Sequence, residues 1–144
     1  MSHLYVFDAH GTDHFDWNCV NIFREVGDAY STGAAEAFKN AAVKNGIKVC
    51  NGIIHKYEVD NVEETKAIFT EIMKDNCCYV NVAFDHGKDL ASLIHAARGG
   101  GYEGEWFIGN MFSEALEMVN ELKKKMSEPS SVHEVLRGVW AFGF

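Results

Sequence analysis

The sequence predicts an α/β protein of three layers, α/β/α, built on a mainly parallel sheet. Two observations carry this. Short apolar runs alternate with amphipathic segments in the order strand, helix, strand, helix, which is the signature of right-handed crossovers between parallel strands. The run Cys78–Phe84 (CYVNVAF) shows little polar alternation, as expected of a strand covered on both faces.

The elements follow in order. Leu4–Phe7 is a short apolar run, and Cys19–Phe23 (CVNIF) is a second. The helix after it places Ala34, Phe38, Ala41 and Ala42 at one-face spacing. It stops at Asn45-Gly46, where glycine takes the left-handed cap and Ile47 folds back. Lys48–Tyr57 is the next strand. Asn61 opens a helix with Glu64 as its capping-box partner, and Ile68, Phe69 and Ile72 face inward. After the strand Cys78–Phe84, a helix buries Leu90, Leu93, Ile94 and Ala97 and ends at Gly99-Gly100-Gly101. Trp106–Gly109 is a further strand. Ser113–Met126 reads as a helix with Leu116, Val119 and Leu122 inward, and Lys123–Lys125 complement its dipole at the carboxyl end. The chain finishes on an apolar run from Val139 to Phe144.

Composition narrows the function classes. The 144 residues suit one domain, and 47% hydrophobic content supplies a core. No apolar run reaches the ~20 residues of a membrane helix. Residues 1–15 are too polar for a signal peptide, with Asp8, His10, Asp13 and His14 among them. A net charge of -8 argues against a nucleic-acid partner. Three of the four cysteines sit in apolar runs, so Cys19, Cys50 and Cys78 read as buried thiols. Secretion of the parent protein would instead favour disulfides.

In a parallel sheet, ligands bind where strand carboxyl ends lead into helices. Tyr30, Ser31 and Thr32 lie at such a corner. Free amides there attract an anion, Ser31 or Thr32 adds a hydroxyl, and Tyr30 adds a stacking face. The structural alternative is a helix cap. Asp85 follows the strand Cys78–Phe84 and is read either as a partner for a ligand amine or as a cap; Asn110 has the same two readings. The segment Tyr5–Phe15 (YVFDAHGTDHF) resembles the nucleophile loop of haloacid-dehalogenase-type phosphatases, with Asp8 as nucleophile, although His10 stands where that family has its general acid. The Asp8, His10, Asp13, His14 and Asp16 group matches no standard metal spacing, so neither a metal nor another cofactor is expected.

The collinear order from Trp17 to Phe144 resembles the receptor-family ligand-binding region of the type I periplasmic-binding-protein fold. The matching pieces are WNCVNIF, GDAYSTGAAEAF, NGIKVC, IFTEIMKDNCCYVNVAF, LASLIHAARGGGYEGEWFIGNMF and LRGVWAFGF. Ser31 replaces the glycine that usually follows the tyrosine. The resemblance implies one lobe of that fold over residues 17–144, with 1–16 as a separate amino-terminal segment. It implies a non-catalytic module for an amino acid or other small carboxylate, held by Tyr30, Ser31 and Thr32 with Asp85 and Asn110. It further implies a homodimer or packing against a missing partner lobe. Location would be extracellular or periplasmic within a larger receptor, or cytoplasmic if the chain is complete as given.

Overall fold

The computed structural model describes residues 4–7, 13–17, 19–75, 78–109, 120–124 and 139–142. The strands are β1 (Leu4–Phe7), β2 (Asp13–Trp17), β3 (Cys19–Glu25), β4 (Lys48–Tyr57), β5 (Val80–Ala83), β6 (Glu105–Gly109) and β7 (Val139–Phe142). The helices are α1 (Ala29–Lys44), α2 (Val62–Asp75) and α3 (Gly87–Gly99). β1 and β2 pair antiparallel as a sheet of their own. The other five strands form one sheet in the order β4-β3-β5-β6-β7, every pair parallel.

Strand alternation sends side chains to two cores. Val20 and Ile22 of β3, with Val80 and Val82 of β5, pack under Ala35 and Ala42 of α1. Phe23, Ala83, Trp106 and Ile108 face the other way, onto Phe69 and Ile72 of α2 and Leu90, Leu93 and Ile94 of α3. This is the expected three-layer arrangement. Leu122, in the helical residues 120–124, is buried in the second core. The rest of the helix expected over Ser113–Met126 lies outside the described residues.

α1 packs by a different stripe from the one the spacing predicts. Ser31, Ala35 and Ala42 are fully buried, Ala34 and Phe38 flank them, and Ala41 is exposed. The buried stripe is the smaller set, which lets the helix lie close to the strands. Its end follows the predicted cap: Gly46 has φ +76°, Gly46 N–H donates to the Val43 carbonyl, and Ile47 N–H donates to the Ala42 carbonyl at 2.9 Å. α3 ends the same way, with Tyr102 N–H on the Ala97 carbonyl at 3.0 Å. That return delivers the Tyr102 hydroxyl to Oδ1 of buried Asn81 at 2.7 Å. Asn21 donates to the same oxygen at 3.0 Å and to the Cys78 carbonyl at 2.9 Å.

The reading of the cysteines as thiols is overturned. Cys19 and Cys78 form a disulfide between the amino ends of β3 and β5, with Cα atoms 5.5 Å apart. Cys50 is disulfide-bonded as well. An apolar setting describes both a buried thiol and a buried disulfide. Only the β3–β5 pairing, which skips β4 in sequence, brings Cys19 to Cys78.

Candidate functional site

In this strand order the chain leaves β3 toward one edge of the sheet and leaves β5 toward the other. The carboxyl ends of β3 and β5 therefore bound the topological switch point, the usual ligand crevice of an open parallel sheet. Four acidic residues converge there. Glu25 is the last residue of β3, and Asp28 precedes α1 as its N-cap. Asp85 follows β5, and Asp89 lies in the first turn of α3. Carboxylate oxygens of Glu25, Asp85 and Asp89 lie within 4.8 Å of one another. Ligand atoms of Asp28, Asp85 and His86 are grouped as closely.

Asp85 is the centre of the cluster and is only 1% exposed. Its Oδ2 accepts the hydroxyl of buried Tyr57, the last residue of β4. Its Oδ1 accepts His86 N–H at 2.8 Å. Burial raises its pKa, and these hydrogen bonds oppose the rise. Burial also holds the Tyr57 phenol well above its ordinary range, reinforced by Asp85.

Among the described residues, Glu25 has no such donors. Its Oε2 is buried with no hydrogen-bond partner. Burial first, and then contact with Asp85 and Asp89, pushes its pKa up to about 9. A buried carboxyl oxygen close to other carboxyl groups is satisfied by a proton or by a cation. Glu25 is therefore the carboxyl of the cluster that most strongly favours its protonated form.

The expected site residues divide by role. Tyr30 is on the rim, 46% exposed, with its ring 5.8 Å from that of His86. Ser31 is buried, and its hydroxyl accepts Glu25 N–H at 2.9 Å, so it positions the end of β3. Thr32 accepts from the Arg24 guanidinium at 3.1 Å. The cap of α1 is Asp28, whose Oδ1 accepts Ser31 N–H at 2.8 Å, while its Oδ2 lies 3.2 Å from His86 Nε2. The helix corner thus already holds the Asp28 carboxyl group. Asp85 is central. Asn110 lies outside the described residues, as do Asp8 and His10 of the phosphatase-like segment.

Glu25, Tyr57, Asp28 and Asp89 are candidate-site residues that the sequence does not single out. The available signal was an ionisable or hydroxylated residue ending a buried strand, as Glu25 ends CVNIFRE and Tyr57 ends KVCNGIIHKY. No family model and no curated protein matches the chain.

Proposed function

We propose that this chain is a non-catalytic α/β binding lobe of a receptor-type sensor, and that its switch-point carboxylates hold the ammonium end of a small ligand. One observation carries the reading: Glu25 Oε2 is buried near the Asp85 and Asp89 carboxyls, and among the described residues no donor satisfies it. A primary ammonium supplies three donors, matching three convergent carboxyls. Tyr30 and His86 form an aromatic rim suited to the organic part of such a ligand. The doubly wound strand order supports the likeness to a type I periplasmic-binding-protein lobe, and the Cys19–Cys78 disulfide favours an oxidising compartment. The amino group, rather than the carboxylate, is then the end of an amino-acid-like ligand that enters the acidic corner.

Backbone amide NMR shifts test this. Small primary amines are expected to move Glu25, Asp85 and Asp89 in the parent chain and much less in Glu25→Gln. Carboxylates lacking an amine are expected to leave them in place. Equal responses to both classes, or none to amines, refute the reading. A second reading rests on the same close oxygens, which also suit a hard divalent cation. Shifts at these residues with magnesium or calcium but not with amines would select it.

A further inference from the structure

A separate concentration of charge lies on the opposite side of the sheet. Arg24 and Lys56 are direct Cα partners in the β3–β4 ladder. One pleat earlier their neighbours Ile22 and Ile54 face α1, so Arg24 and Lys56 face α1 too. Like charges paired across a ladder are destabilising unless something neutralises them. Thr32, Glu36 and Lys39 run along one side of α1 at helical spacing and face the same place. Arg24, Lys56, Glu36 and Lys39 line an open groove of about 460 Å³ together with Gly52, Ile53 and Ile54 of β4.

Three cations and one carboxylate share this groove, in a chain whose formal net charge is -8. Among the described residues, Arg24, Lys39 and Lys56 form no ion pair. Arg24 is held in place by donating Nη1–H to the Thr32 hydroxyl at 3.1 Å, and among the described residues its other guanidinium N–H groups meet no acceptor. Lys39 is half-buried at the position four residues after buried Ala35. Ile53 is 48% exposed on the wall and supplies an apolar surface beside the cations.

We propose that this α1–β4 groove binds a tetrahedral oxyanion carried on a small organic molecule, that is, a phosphate or sulfate monoester. The guanidinium fork and two ammonium groups match the oxygens of such a head group. Ile53 and Ile54 receive its carbon part. The groove volume lies within the range of small-molecule sites. Because Arg24 and Glu25 point to opposite faces of β3, this site is separate from the acidic crevice.

Calorimetric titration of the full chain with phenyl phosphate and phenyl sulfate, at ionic strength held constant with sodium chloride, tests the proposal. Binding of at least one ester is expected, and a preference between them identifies which ester the groove takes. Lys39→Gln and Lys56→Gln are each expected to weaken binding about tenfold, the scale of one lost charge-assisted hydrogen bond. Glu36→Gln is expected to tighten it. Lys74→Gln, on α2 across the sheet, is expected to leave it unchanged. The proposal is overturned if both esters behave like phenol, or if the Lys39 and Lys56 variants bind as the parent does while circular dichroism shows them folded.

Discussion

The hydroxyl of Tyr57 donates to Oδ2 of Asp85, joining the end of β4 to the loop after β5 across the intervening strand β3. This bond spans the switch point, and it fixes the acidic cluster's most buried member. Tyr57→Phe keeps the ring and removes the donor. A buried acceptor left short of a partner costs about 1–3 kcal/mol. Urea denaturation is expected to show that loss, together with altered amide shifts at Asp85 and His86. A variant as stable as the parent would mean that the bond is not formed in solution.

Glu25 gives the chain a distinctive pH response. Its carboxyl is raised from an ordinary 4.5 to about 9. The folded state therefore binds more protons than the unfolded chain throughout that window. Stability is fully present below the lower value and is lost as pH rises toward the upper one. Asp85 is displaced in the same direction and adds to the slope. Glu25→Gln cannot ionise, so its melting temperature is expected to fall less with rising pH than the parent's. Parallel melting-temperature profiles across the window would show that Glu25 ionises normally.

Gly104 is expected to be intolerant of a side chain. A Cβ there would sit 2.7 Å from Cζ of Tyr102, and nearer still to its hydroxyl and to Nδ2 of Asn81. Both neighbours are buried and hydrogen-bonded, so neither can yield cheaply. Gly104→Ala is expected to cost about 1–3 kcal/mol in chemical denaturation, as overpacking does. Gly33→Ala is the control. Nothing lies within 4 Å of its Cβ position on α1. There alanine is expected to stabilise by about 0.5–1 kcal/mol.

Local chemistry was legible in the sequence; pairing at a distance was not. Asn45-Gly46-Ile47 announces its helix end because the cap is made within five residues. Asn61 and Glu64 likewise meet, through Asn61 Nδ2 to Glu64 Oε2 at 2.7 Å and Glu64 N–H to Asn61 Oδ1 at 3.2 Å. Asp85 could be placed at the carboxyl-end edge of the sheet from the element order alone. Glu25 and Tyr57 could not be joined to it, because that requires knowing that β3 lies between β4 and β5. The hydroxyl of Ser31 illustrates the other limit. Residue type says that it can bond, but only packing decides that it turns inward to Glu25 N–H rather than outward to a ligand.

β3 and β5 are tied near their amino ends twice, by the Cys19–Cys78 bond and by the Asn21–Asn81 amide pair. Glu25 and Asp85 sit at the far ends of the same two strands. Sliding one strand past the other by a single residue would displace its terminal carboxylate by about 3.3 Å and turn it to the wrong side. The covalent tie therefore works as a ruler laid along the two strands, setting from a distance the spacing of the two carboxyl groups. Reducing it would free the two carboxyl groups to shift relative to one another.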